Sequence, residues 1–145
     1  MSSKLLSIAA TLLLVAAVLF LYFTRSLFAN GPVSIGLQAA AVLLMLWARV
    51  TFGLRSFHAS ANPTEGKLVT TGPYRYLRHP IYVAILLFVW TGIAVHPSSA
   101  SLLAGLLATA ATLTRMLSEE MLLRERYPEY ADYARRAKRL VPFVY

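Results

Sequence analysis

Residues 5–23 read LLSIAATLLLVAAVLFLYF, nineteen residues without a charge. About twenty apolar residues span the hydrocarbon core of a bilayer as an α-helix, so this stretch predicts a membrane span. A cleaved signal peptide would have a shorter apolar region followed by a small-x-small cleavage site. The next residues, Thr24-Arg25-Ser26-Leu27-Phe28-Ala29-Asn30-Gly31-Pro32, offer no good site, so the helix is expected to be retained. The rest of the chain agrees. Of 145 residues, 58% are hydrophobic and 14% are charged. A soluble domain of this size cannot hide that much apolar surface. There is no cysteine, which excludes a disulfide framework, a thiolate nucleophile and Cys-ligated metal.

Outward from that run, Asn30-Gly31-Pro32 signals a tight turn. A second span is expected at about 33–52, with Gln38 its only strongly polar member. Residues 53–79 are polar and turn-rich. Pro80 opens a third apolar segment, about 80–95, which is short for a span. Proline suits this first helical turn, where its missing N–H would be unpaired anyway. His96-Pro97-Ser98-Ser99 makes a polar turn, and a fourth span follows at about 98–117. Ala104, Ala108 and Thr112 recur four apart, a spacing that lets helices approach closely in lipid and that also suits a plain lipid-facing stripe. The tail, 118–145, alternates charge with Tyr127, Tyr130 and Tyr133, and fits an interfacial helix broken near Pro128. The expectation is one all-α membrane-embedded domain, 1–145, with about four transmembrane helices and a C-terminal interfacial helix.

The net charge of +8 would suggest nucleic acid in a soluble protein. Here the cations flank apolar runs, so anionic membrane lipids are the expected partner and nucleic acid is not. The 24–32 loop has one cation, Arg25, and the 96–101 turn has none. The 53–79 loop has four (Arg55, Lys67, Arg75, Arg78), with Arg49 just before it, and the tail has six. The positive-inside rule then places the 53–79 loop, the tail and both termini on the cytoplasmic side of the cell's inner membrane, with Lys4 in weak agreement.

Two polar segments therefore meet one membrane face. One ends Tyr74-Arg75-Tyr76-Leu77-Arg78-His79-Pro80-Ile81-Tyr82. The other begins Arg115-Met116-Leu117-Ser118-Glu119-Glu120. Arg78 and His79 sit at a helix start, where free N–H groups favour an anion such as a carboxylate. Tyr82 offers a ring face one turn later. Paired carboxylates at the edge of hydrocarbon are costly unless cations or donors answer them. A zwitterionic amino acid bearing a sulfonium and a ribose would use all of these groups. A plainer reading stands beside it: Arg78, His79 and Tyr82 as interfacial residues, Glu119 paired with Arg115, and Glu120 with Arg124, at i, i+4 spacing. His58 and His96 are lone histidines without metal-ligand spacing, and no metal site is expected.

The stretch 68–82, LVTTGPYRYLRHPIY, resembles the signature of the isoprenylcysteine carboxyl methyltransferase and phospholipid N-methyltransferase family. That signature is Arg-His-Pro-x-Tyr-x-Gly, then a helical hairpin, then Glu-Glu, a leucine, a Tyr-x-x-Tyr region and a basic stretch near a proline. Arg78, His79, Pro80 and Tyr82 match, as do Glu119 and Glu120; Leu123, Tyr130, Tyr133, Arg139 and Pro142 continue the pattern. Ala84 stands where the motif often has glycine. The resemblance covers 68–145 well and the first two spans only as apolar helices.

It implies an integral membrane methyltransferase using S-adenosylmethionine, with Tyr74, Arg78, His79, Pro80, Tyr82, Glu119 and Glu120 around the cofactor. The acceptor would be lipophilic (a carboxylate, amine or thiol) and would enter laterally from the bilayer; Arg75, Arg115 and Arg124 are candidates to hold an anionic acceptor. The tail from Tyr127 is expected to act as a lid, its tyrosines anchored at the interface. Two rivals remain. Sterol reductases that use NADPH carry a similar Arg-His-Pro motif, but with asparagine where Ile81 stands. A membrane protein that only binds lipid or a partner is the other. The oligomeric state is left open.

Overall fold

The apolar run forms α1, Ser3–Phe23, in a computed structural model that describes residues 3–53 and 67–141. The described residues contain four more α-helices: α2 (Pro32–Phe52), α3 (Pro80–Val95), α4 (Ser99–Arg126) and α5 (Tyr130–Arg136). Expectations that rested on Arg55, His58 and Pro142, or on the side chain of Lys4, fall outside the described residues.

Local chemistry sets the boundaries. Gly31 adopts φ +92°, a left-handed value that glycine takes at little cost, and Pro32 follows as the first residue of α2. Pro80 opens α3 in the same way. Ser98 caps α4: its hydroxyl accepts from the Ser101 amide at 3.0 Å, and the Ser98 amide donates back to the Ser101 hydroxyl at 2.8 Å. The helix ends where Tyr127 turns extended ahead of Pro128.

Three helices, α1, α2 and α4, are long and apolar enough to cross a membrane. The third of the four expected spans differs. The sixteen residues of α3 reach about 24 Å at 1.5 Å per residue, short of a full hydrocarbon core. The fourth differs in the other sense. Its helix does not stop at Leu117 but runs on through both glutamates to Arg126, 28 residues in all. The result is an all-helical polytopic membrane protein, with many large apolar side chains of α1 and α2 turned outward.

α1 packs against α4. Its buried face is Ser7, Ala10, Leu14, Ala17 and Leu21, a 3-4-3-4 spacing that keeps one seam facing its neighbour. α4 answers with Ser101, Ala104, Ala108, Ala111, Arg115 and Ser118, mostly small residues that let the helices approach closely. Ala10 and Leu14 cluster with Ala108 and Ala111, and Leu21 with Ala104, so the two helices run antiparallel. The stripe containing Ala104, Ala108 and Thr112 is thus helix–helix contact, not lipid-facing surface. At the far end Gln38, buried on α2, ties three segments together. Its amide nitrogen donates to the Leu27 and Phe88 carbonyls at 2.8 and 3.0 Å, and its oxygen accepts from the Ala29 amide at 3.0 Å.

At the other end the chain before α3 turns through a 3-10 segment, Gly72–Arg75, and meets the tail. Leu77 and Lys138 form a parallel bridge: the Arg78 amide donates to the Lys138 carbonyl at 2.6 Å, the Lys138 amide to the Tyr76 carbonyl at 3.0 Å, and the His79 amide to the Arg139 carbonyl at 3.3 Å. The tail tyrosines were expected to anchor in the interface. Instead Tyr127, Tyr130 and Tyr133 are buried together with Ala137, against Leu68 and Leu123. A phenol ring at this junction removes more apolar area from water inward than outward.

Candidate active site

α3 brings His79 and Tyr82 to the polar end of the bundle, α4 brings Arg115, Glu119 and Glu120, and the tail brings Arg139. Glu120 is only 3% exposed. Its Oε1 lies 3.2 Å from His79 Nε2 and 2.9 Å from Arg78 NH1, and Arg139 Nε donates to both of its oxygens at 3.2 Å. The i, i+4 partnership with Arg124 does not form. Arg124 is exposed, 5.9 Å from the centre of the Tyr130 ring. Glu119 does pair with Arg115 as the spacing suggested, NH2 to Oε1 at 3.2 Å. The Tyr82 hydroxyl donates to that same oxygen and accepts from Arg115 Nε at 2.7 Å. Arg115 NH1 donates to the Thr11 hydroxyl on α1. Glu119 Oε2 faces His79 Nδ1 at 3.9 Å, on a side chain one-quarter exposed.

The two carboxylates thus sit in one cluster with three guanidiniums, those of Arg78, Arg115 and Arg139, and with the His79 imidazole. Among the described residues, three guanidiniums surround the two carboxylates. Arg78 is one of them. Its NH1 is ion-paired with Glu120, while its Nε is buried with no hydrogen-bond acceptor among the described residues. The Tyr130 hydroxyl lies against the Arg78 guanidinium, also without an aligned partner. Buried donors left unmet cost about 1–3 kcal/mol each.

Other expected site residues stand differently. One face of the Tyr82 ring stacks on His79, at 5.6 Å between centroids and 20° between planes. The start of α3 does not present a row of open N–H groups: Pro80 has none, and the His79 amide is held by the Arg139 carbonyl. Tyr74 is buried against Phe52, ring centres 5.5 Å apart, and its carbonyl accepts from the Tyr133 hydroxyl at 2.7 Å. Burial, then the nearby Glu119 charge, pushes the Tyr74 phenol above its ordinary value. Burial likewise raises Tyr130, with Glu120 adding to it, and Tyr133, with Tyr130 and Tyr74 adding to it. All three therefore stay neutral donors. Arg75 is exposed beside the Tyr76 ring and is not in the cluster. Of the three candidate arginines, only Arg115 is.

Two members were given no site role from the sequence. Thr11 lay inside a run read as apolar, and its only signal was being one of two aliphatic hydroxyls, with Ser7, four residues apart. Arg139 was matched to the family pattern, but as one of several tail cations it was given no role in the site.

A cavity of about 250 Å³ opens between α1, α2 and α3. Its lining is apolar throughout, including Val18, Leu27, Ala41, Met45, Ala84, Ile85 and Phe88. Ala84, the position where the motif often has glycine, is on its wall, half a turn beyond Tyr82. Among the described residues no group of three or more His, Asp or Glu is arranged to hold a metal ion.

The Arg-His-Pro-x-Tyr and Glu-Glu residues thus form one cluster at one end of an apolar helical bundle. The chain matches the phospholipid methyltransferase family over residues 27–130, most of its length, and belongs to that family. It is 40% identical over 79 residues to the nickel-cobalt-cadmium resistance protein NccN of Alcaligenes xylosoxydans xylosoxydans, covering 52% of this chain and 36% of that protein. It is 39% identical over 77 residues to the cobalt-zinc-cadmium resistance protein CzcN of Cupriavidus metallidurans, covering 52% and 35% respectively. The matched region thus spans about a third of the length of these relatives. No solved structure matches the chain.

Proposed function

We propose that this chain transfers the methyl group of S-adenosylmethionine to a lipophilic acceptor, at a site facing the cytoplasm of the cell's inner membrane. The observation that carries the reading is the convergence of His79 and Tyr82 with Glu119 and Glu120 in one cluster, answered by the guanidiniums of Arg78, Arg115 and Arg139. The donor set suits the cofactor. The Arg78 guanidinium, ion-paired to Glu120 through NH1, would offer its remaining buried donor, Nε, to the cofactor carboxylate. Glu119, whose Oε2 points away from Tyr82 and Arg115, would hold its ammonium or ribose hydroxyls. Bound there, S-adenosylmethionine supplies an activated sulfonium methyl.

What remains for the protein is alignment and exclusion of water. Alignment of reacting groups can contribute roughly 7–11 kcal/mol of barrier reduction in favourable cases. Tyr82 and Arg115 fix Glu119, and His79, Arg78 and Arg139 fix Glu120, so both carboxylates are held before any ligand arrives. The apolar cavity supports a lipophilic acceptor, because it can shelter an alkyl or prenyl chain and its wall includes Ala84, two residues along α3 from Tyr82. Anionic headgroups would hold the basic tail at the membrane. The names of the two relatives speak of resistance to metal ions, and a lipid-modifying role in an envelope exposed to metals is compatible with them.

The test is transfer of labelled methyl from S-adenosylmethionine into a membrane lipid extract, followed by identification of the product. Label in the lipid fraction that vanishes with Glu119→Gln supports the reading. Label appearing only in water-soluble products refutes the lipophilic acceptor, and protection by NADPH but not S-adenosylhomocysteine refutes the cofactor.

A further inference from the structure

The first helix lies wholly before the residues that match the family, yet it reaches the candidate active site. Its face toward α4 is small and closely packed, with Ser7 fully buried and Ala10 and Ala17 both at 6% exposure. That close approach lets the short Thr11 side chain meet Arg115. The hydroxyl is oriented: its proton goes to the Ser7 carbonyl at 2.8 Å, within α1, which aims its lone pairs at Arg115 NH1. The guanidinium then donates from Nε to the Tyr82 hydroxyl and from NH2 to Glu119 Oε1, and the Tyr82 hydroxyl donates to Glu119 in turn. The donors radiate from Arg115: one branch runs through the Thr11 hydroxyl to the α1 backbone, the other directly and through Tyr82 to the Glu119 carboxylate.

We propose that α1 forms part of the active site, with Thr11 as the positioning residue that sets the orientation of Arg115 and, through it, of Tyr82 and Glu119. Arg115 is buried at the level where the bundle becomes apolar, and a guanidinium there is held by whatever acceptors surround it. Taking away the Thr11 acceptor lets the fork rotate about Cδ–Nε. Its hydrogen bonds to Tyr82 and Glu119 share that plane, so both shift with it. A polar pair in an apolar helix seam also fixes register. That role concerns only how the helices dock, whereas positioning is felt at Tyr82.

The effect on cofactor rests on the methyltransferase reading; the Thr11–Arg115–Tyr82 linkage does not, and the experiment separates them. The full-length protein in detergent is prepared with 3-fluorotyrosine at position 82, as wild type, Thr11→Val and Thr11→Ser. Valine keeps the shape and removes the acceptor; serine keeps the acceptor. The ¹⁹F resonance of residue 82 is recorded without ligand, and S-adenosylhomocysteine affinity is measured on the same samples. Positioning predicts a displaced resonance in Thr11→Val, a near-wild-type one in Thr11→Ser, and about tenfold weaker binding for valine alone, the size expected for one hydrogen bond to a charged group. A residue-82 resonance unmoved in Thr11→Val overturns the proposal, whatever its melting temperature. A lowered melting temperature with unchanged resonance and affinity assigns Thr11 to helix docking, which also overturns it. If the wild type fails to bind S-adenosylhomocysteine while the resonance moves in valine and returns in serine, the cofactor reading falls and the positioning role stands.

Discussion

Removing Glu120 strips the answering charge from three groups at once. Its carboxylate meets Arg78 NH1 at 2.9 Å, His79 Nε2 at 3.2 Å and Arg139 at 3.2 Å. Glu120 and His79 side chains are each 4% exposed and Arg78 is 10% exposed, so water cannot replace the carboxylate there; Arg139, at 25%, can recover part of its hydration. Breaking a buried ion pair by deleting one partner costs about 3–5 kcal/mol. The exposure of Arg139 puts Glu120→Ala at the lower end, about 3 kcal/mol. At roughly 2–4 °C per kcal/mol for a chain of this size, the melting temperature falls by about 10 °C. Glu120→Gln recovers little of this, because its amide nitrogen brings another donor to a place ringed by donors. Glu119→Gln is milder, since that side chain is a quarter exposed and retains an acceptor for Tyr82. The assay is thermal unfolding in detergent, followed by intrinsic fluorescence, for the three variants. Melting temperatures of Glu120→Ala and Glu120→Gln within 2 °C or so of wild type would refute the claim that Glu120 is the keystone of the cluster.

Gly92→Ala places a Cβ 2.1 Å from the Leu27 carbonyl oxygen, which is backbone and cannot swing aside, so it costs about 3 kcal/mol by the same assay. Gly36→Ala, with nothing within 4 Å of the new methyl, gains up to about 1 kcal/mol and serves as the control. Tyr74 and Tyr133 have phenols raised above 10 in the folded protein, so their contribution to stability is complete below pH 10 and is lost as pH rises through the folded values. Denaturation midpoints should therefore hold level up to pH 10 and fall above it, with a shallower fall in Tyr133→Phe. For orientation, a cysteine at Ser99 should react with an impermeant reagent from outside whole cells and one at Arg135 should not; the reverse pattern would invert the topology. In a matched acceptor series, transfer efficiency should rise with alkyl or prenyl length until the cavity beside Ala84 is filled, and equal reaction of short soluble analogues would exclude lateral entry.

Much of the helical layout could be read from the sequence because its causes are local. A run of nineteen uncharged residues has to be helical in lipid, where every backbone N–H and C=O must be paired within the segment. Gly31-Pro32, Pro80 and Ser98 set helix starts through their own φ values or hydroxyl, with no help from distant residues. The Arg115–Glu119 pair was also legible, since i, i+4 spacing brings the two side chains together on any helix. The end of α4 was not. Charge after Leu117 looked like an exit from the membrane, but a change of solvent does not end a helix, and only Pro128 did.

What tertiary structure decided is which partner each polar group took. Glu120 had Arg124 at the right helical spacing and instead took Arg78, His79 and Arg139. Arg78 and His79 are largely cut off from water there and gain most from a carboxylate, while Arg124 stays hydrated outside. The tyrosines of the tail had the composition of interfacial anchors, but burying them against Leu68 and Leu123 removed more apolar surface from water. Thr11 and Arg115 are 104 residues apart, and nothing in either one's neighbourhood names the other. They meet because Ala10, Ala17, Ala108 and Ala111 are small enough for two antiparallel helices to close on each other. The sequence by itself determined the membrane, the helices and the residue types of the site. Only packing fixed its wiring, because a charged group's choice of partner depends on how much water each alternative leaves it.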